Sequence, residues 1–397
     1  MTRTFLWGAA TSAHQVEGNN VNSDWWQIEQ VASGIFEASG DAIDSYHRYR
    51  EEMELLAGAR VNTYRFSVEW ARIEPLPGRF SRAELDHYRR MIDEALRLGL
   101  TPMVTLHHFS HPQWFVDRGG WLADDSAEIF ARYCDTVCEI LEGVDWVCTI
   151  NEPNVLAFIQ YFHGLIRSGA PLPPRDEHAR PPLPDIELGR RLVEAHHAAR
   201  EVVRRRTRAL VGWSVAGQAF TPTDGNESTF AEVKYAWEDF YYLAARGDDY
   251  VGVQSYTSQA VDADGPVPHA DAPDNTLTGW AYRPDALEIC VRNAAEVTCG
   301  VPIVVTENGI ATADDDVRIA YTKAALAGLY TAMNDGIDVR GYIHWSAVDN
   351  FEWGHWRPTF GLIAVDRETF ERTPKPSLHW FGAVADRGPS SSGERQG

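Results

Sequence analysis

The chain contains no apolar run long enough to span a membrane. Its opening residues, Met1 to His14, carry a single arginine and an apolar stretch too short for the core of an export signal. These absences predict a cytoplasmic protein with no membrane partner. Cysteine is scarce: Cys134, Cys138, Cys148, Cys290 and Cys299 form an odd set with no CxxC pair, which favours reduced thiols over a disulfide frame or a zinc site. Cys134 and Cys138, one helical turn apart, read as packing residues. Positive charge is also short. With 36 basic against 57 acidic residues the formal charge is −21, and the acidity is spread along the sequence. A nucleic-acid surface would need a basic stripe, so a neutral small molecule is the expected partner. There is no internal sequence repeat and no domain linker.

What the chain does have is alternation. Hydrophobic residues make up 44% and charged ones 23%, a globular balance. Short β-branched or aromatic runs alternate with amphipathic stretches, the pattern of parallel βαβ units. The runs are Phe5–Thr11, Asn62–Val68, Pro102–His107, Trp146–Ile150, Leu210–Ala216, Tyr250–Tyr256, Ile303–Thr306 and Gly341–Ala347. Eight is the number that closes a (β/α)8 TIM barrel. Helices are expected over Ala83–Leu98, Ala127–Leu141, Ile186–Arg206, Asp285–Thr298 and Val317–Asn334, with Gly99 and Gly300 as left-handed caps. Three stretches exceed a minimal repeat, Val16–Gly40, Arg167–Pro184 and Ser258–Tyr282, and should wall the C-terminal mouth as long βα loops. A single α/β barrel domain is expected over residues 1–386, with a disordered tail over 387–397.

Two strand ends carry chemistry. Glu152 in TINEPN closes the fourth run and Glu307 in VVTENG the seventh, so barrel closure predicts that they face each other across the mouth. A lone strand-end glutamate often caps a helix or pairs with an arginine. Two of them supply what acetal hydrolysis needs: one carboxylic acid to protonate the departing oxygen and one carboxylate to attack the sugar carbon. Arg65, flanked by Tyr64 and Phe66, reads as buried and able to hold one glutamate ionised, whose charge then raises the pKa of the other. The chain has 14 tryptophans, and indole stacks on the C–H faces of sugars; Trp345, Trp353 and Trp356, at or beyond the eighth strand, are the candidates. Glu352 lies among them and is suited to accept two hydrogen bonds from adjacent sugar hydroxyls, roughly 1.5–3 kcal/mol each. In TLHHFSHP, His107 and His108 point to opposite faces of a strand, which argues against a metal site; one inward histidine donating to a hydroxyl is the expected use. His196 and His197, inside a helix, read as packing residues.

Taken together, FLWGAATSAHQVEG, SYHRY, YRFSVEWARIEP, TLHHFSHPQW, TINEPN, VVTENG, GYIHWSAVDNFEW and FGLIAVD resemble, in order, the family 1 glycoside hydrolases, the retaining β-glucosidase and β-galactosidase group. That resemblance implies Glu152 as acid/base and Glu307 as nucleophile, Asn151 on the sugar 2-hydroxyl, Tyr256 bonded to the nucleophile, and Arg65 keeping it charged. It places Gln15, His108, Glu352 and Trp353 around the terminal sugar, with Trp345 as its platform. Glu352 implies an unphosphorylated substrate. The sequence departs from the family at His107–His108–Phe109, commonly Tyr-His-Trp, and at Gln254–Ser255–Tyr256, commonly Asn-Tyr-Tyr. Arg357–Pro358–Thr359 replaces the usual lysine-arginine.

The expected activity is removal of a terminal β-linked sugar, from a glucoside first and a galactoside or fucoside next, with retention and without metal or cofactor. Rival readings are an endo-acting glycanase or a transglycosidase of a related barrel, and a non-catalytic sugar-binding barrel.

Overall fold

The computed structural model describes residues 4–32, 34–172, 180 and 182–389. Eight strands close a barrel: β1 (Leu6–Ala10), β2 (Thr63–Ser67), β3 (Thr101–Thr105), β4 (Trp146–Asn151), β5 (Leu210–Gly217), β6 (Val251–Ser255), β7 (Ile303–Asn308) and β8 (Val339–Trp345). Each pairs in parallel with its neighbours in the chain, and β1 returns to β8 through Leu6–Gly341 to Ala10–Trp345. Every residue of β7 is buried, as expected of strands covered by side chains inside the barrel and helices outside it.

The outer helices form where apolar residues recur at helical spacing behind a capping side chain. In α2 (Arg82–Arg97), which follows α1 (Ser45–Gly58), Leu85, Tyr88, Met91, Ile92 and Ala95 make the buried face, and the Ser81 hydroxyl accepts from the Glu84 N–H. Next come α3 (Ser126–Val137), α4 (Pro153–Ser168) and α5 (Ile186–Arg206), whose first turn is capped by Asp185. The last four are α6 (Glu227–Lys234), α7 (Ala286–Thr298), α8 (Asp315–Asn334), capped by Asp314, and α9 (Pro376–Arg387). Gly99 and Gly300 adopt positive φ, +76° and +88°, as their cap positions require.

The expected strands agree with the observed ones to within about two residues, a margin usual at element ends. The differences fall mostly at the mouth. β3 stops at Thr105 where TLHH was read on to His107, and β7 continues to Asn308 beyond Thr306. Val16–Gly40 holds a helix, Asp24–Val31, and Ser258–Tyr282 holds a two-stranded antiparallel element, Ala260–Asp262 with Gly265–Pro266. Much of Arg167–Pro184 lies outside the described residues, as do 390–397 of the expected tail; Arg387 itself ends α9.

Candidate active site

Both glutamates stand where the strand ladder is broken. The β4–β5 register shifts between Cys148 and Asn151, and the β7–β6 register between Val305 and Glu307. Such irregularities re-aim side chains at a barrel rim. Glu152 follows β4 at φ 44° and ψ 63°, a left-handed conformation costly for a residue with a side chain, and Pro153 then opens α4. The two carboxyl groups border one cavity of about 590 Å³, shared with His108, Gln254, Tyr256, Trp345 and Glu352.

The hydrogen bonds orient this floor without ambiguity, starting from Arg65, which only donates. Its Nη1 reaches Glu307 Oε1 at 2.5 Å and its Nη2 reaches Asn151 Oδ1 at 2.5 Å. The Asn151 amide is thereby fixed, with Oδ1 also accepting from Gln254 Nε2 at 2.9 Å and Nδ2 facing His108 Nε2 at 3.2 Å. His108 Nε2 must then be the acceptor, so the ring proton sits on Nδ1. His108 Nδ1 and Gln254 Oε1 are both buried with no partner among the described residues. One is a free donor and the other a free acceptor, on two residues that border the cavity.

The carboxyl groups differ in their surroundings. Glu307 receives Arg65 on one oxygen and the Tyr256 hydroxyl on the other, at 2.6 Å. Among the described residues the Glu152 carboxyl meets burial and the charges of Glu307, Arg65 and Glu352 but no hydrogen-bond donor. Burial pushes both upward; for Glu307 the guanidinium and the phenol act against burial, whereas for Glu152 the charge of Glu307 adds to it and carries the group well above the usual carboxylate range. The pair therefore titrates as a unit, with Glu307 ionised first and Glu152 holding the proton.

Deeper in, Glu352 accepts from Trp345 Nε1 at 3.0 Å and from Gln15 Nε2 at 3.2 Å. Burial pushes it to about 8, the Trp345 bond opposing and the charge of Glu307 assisting. Rings enclose it: Trp345 lies near-parallel to His108 at 5.8 Å, and Trp353 stacks on His14 at 5.6 Å.

Seven of the ten expected site residues border the cavity, and the other three, Asn151, Arg65 and Gln15, each touch one that does. Arg65 and Gln15 are fully buried behind it, Arg65 holding Glu307 and Gln15 holding Glu352. Trp356 is a correction: it does not border the cavity, and its indole N–H donates to Ala38 O while Arg367 covers its ring. His107 faces away, edge-on to Trp121 and Phe130, so the two histidines point apart as expected, although β3 ends at Thr105 and strand alternation is not what separates them. His196 does more than pack; it joins Thr149 on β4 to Asp248. Gln254 and the apolar wall of Val155, Phe158 and Trp237 join the site without a sequence motif that points to them. The wall residues lie on α4 and on the π-helical turn Tyr235–Asp239, neither marked by any strand-end motif. Among the described residues, no group of three or more His, Cys, Asp or Glu is arranged to hold a metal ion.

Comparison with known proteins points the same way. The sequence model of Glycosyl hydrolase family 1 matches residues 1–248 and 241–389. Thermostable beta-glucosidase B of Thermobispora bispora is 34% identical, over 98% of this chain and 91% of its own length. The bifunctional beta-D-glucosidase/beta-D-fucosidase of Bifidobacterium breve is 31% identical, over 95% of this chain and 96% of its own. The crystal structure of beta-glycosidase BGL167 superposes with a TM-score of 0.88 at 42% identity, covering 99% of both chains. With the match running over almost the whole sequence, the chain belongs to glycosyl hydrolase family 1 and is a glycoside hydrolase.

Proposed function

We propose that the protein is a retaining exo-β-glycosidase acting on terminal β-D-glucosides, and on β-D-fucosides as a second substrate class. The observation that carries this reading is the asymmetry of the two carboxyls: Glu307 is held by Arg65 and Tyr256, while Glu152 is buried beside it with no donor among the described residues. A carboxylate attacks and an acid protonates, and the two environments suit those two roles.

In the first step Glu307 attacks the anomeric carbon and the bond to the aglycone oxygen breaks as that oxygen takes the proton of Glu152. An ester to Glu307 remains, and the loss of its charge lowers the pKa of Glu152. Glu152 then removes a proton from water, whose oxygen attacks the same carbon and releases Glu307. His108 Nδ1–H and Gln254 Oε1 are the free donor and acceptor for sugar hydroxyls, the remaining Asn151 N–H serves the 2-hydroxyl, and Trp345 supports the ring face. Glu352, oriented by Gln15, and Trp353 meet the hydroxyls at the non-reducing end, which favours the exo mode.

The glucoside preference draws on relatives named beta-glucosidase, and the fucoside on the bifunctional relative. A cytoplasmic location is supported by five cysteines that form no disulfide. Proton NMR during hydrolysis of an aryl β-glucoside tests the stereochemistry: the β-sugar must appear first and mutarotate later. Initial release of the α-sugar would refute retention.

A further inference from the structure

Beyond Glu152 the β4–β5 ladder ought to fail. Glu152 N–H still donates to Ser214 O at 2.8 Å, but Pro153 has no N–H and the Glu152 carbonyl is taken by Leu156 N–H at 2.9 Å as α4 begins. The next rung is nevertheless present, and a side chain supplies it. Asn154 Oδ1 accepts from Ala216 N–H at 3.2 Å, and its Nδ2 donates to Ala216 O at 2.7 Å. The same Nδ2 donates its other hydrogen to Trp237 O, at 2.8 Å. Asn154 is fully buried, so none of these bonds competes with water.

We propose that Asn154 is a positioning residue: its amide holds the left-handed corner that aims the Glu152 carboxyl, and it registers the cavity wall at Trp237 to that carboxyl. A non-glycine residue in that conformation persists only where its surroundings over-determine it. The Glu152 N–H bond fixes one side of the corner and the Asn154 amide the other, two residues on. Ala216 and Trp237 both border the cavity, so one side chain sets the acid and the apolar wall it faces. None of the three Asn154 bonds reaches substrate; its effect passes through the aim of Glu152 and the wall at Trp237.

This inference rests on the acid/base role proposed for Glu152, and the test keeps the two apart. Asn154→Ala, Asn154→Asp and Glu152→Ala are compared with the parent on β-glucosides of falling leaving-group acidity, from dinitrophenyl to alkyl. A misaimed acid matters only where the leaving group needs a proton, so kcat/KM of both Asn154 variants should fall about tenfold or more on alkyl glucosides and change little on the dinitrophenyl glucoside. The basic limb of their pH profiles should move as well. Equal loss on every substrate, no loss on any, or failure of both variants to fold would overturn the assignment of Asn154. If Glu152→Ala itself lacks leaving-group dependence, the acid role fails first; if it shows that dependence and the Asn154 variants do not, only the present inference falls.

Discussion

Arg65, on β2, reaches across the barrel to Glu307 on β7 and to Asn151 on β4, at 2.5 Å in each case. It is fully buried, so its charge is tolerable only while both contacts stand. Arg65→Met would leave the Glu307 carboxylate uncompensated, a loss of about 3–5 kcal/mol for a broken buried pair. Activity is expected to fall at least about a hundredfold, with the acidic limb of the pH profile displaced upward. Arg65→Lys, which keeps charge but not the fork, should recover little. An acidic limb that stays in place in Arg65→Met would contradict this role.

Tyr256→Phe removes the other bond to Glu307, that at 2.6 Å. A hydrogen bond to a charged group contributes about 1.5–3 kcal/mol, so kcat/KM should drop by roughly one to two orders of magnitude. The melting temperature should change little, because the backbone carbonyl of Tyr256 remains anchored by the Tyr321 hydroxyl at 2.8 Å. A large thermal loss with activity per folded molecule preserved would make the tyrosine structural instead.

Glu352 receives two N–H donors and is pushed to about 8. Below that pH its carboxyl carries a proton to offer a sugar hydroxyl; above it, the group only accepts. Steady-state KM for a β-glucoside should therefore vary between about pH 7 and 9 in the parent. In Glu352→Gln that variation should vanish, with KM raised because an amide N–H must face one of the donors. An identical KM profile in both proteins would remove Glu352 from the sugar site.

Stability should depend on pH in two opposing ways. Burial raises Glu17 and Glu238 to about 7 and Glu352 to about 8, so each binds its proton more tightly folded than unfolded; their contribution is complete at acid pH and is lost as pH rises from about 4.5 to 7 or 8. Burial lowers His87 to about 4 and His163 and His344 to about 3, so their contribution is complete above about 6.5 and is lost as pH falls through the folded values. Between about 4.5 and 6.5 the slopes oppose each other. Melting temperature should therefore decline from about pH 6.5 to 8 in the free enzyme, and Glu238→Gln should soften that decline. A melting temperature that climbs over this window would contradict the assigned shifts.

The barrel was legible because each strand is a short apolar run between amphipathic helices, and the glutamates stood out because two strands end in one, a pairing that a helix cap or a lone ion pair does not call for. Arg65 could be placed from Tyr64 and Phe66 because a strand covered on both faces of a barrel buries all three, whichever way each points. His107 and His108 do point apart, but just beyond the end of β3, where the loop after the strand sets their directions. Other features were hidden because they depend on long-range closure. Gln254 is one polar residue in a β-strand until Asn151 meets it, and Asn154 looks like an ordinary helix-start asparagine until Ala216 and Trp237 arrive from later in the chain. Trp356 misled for the same reason: a mouth-loop tryptophan can serve a sugar or a neighbouring loop, and the contact with Ala38 decides.

Covalent labelling tests the division of labour between the two glutamates most directly. A 2-deoxy-2-fluoro-β-glucoside with a dinitrophenyl leaving group should be cleaved once and leave its sugar on the enzyme, and peptide mass analysis should find that sugar on Glu307. A label on Glu152, or turnover with no trapped ester at all, would contradict the assignment.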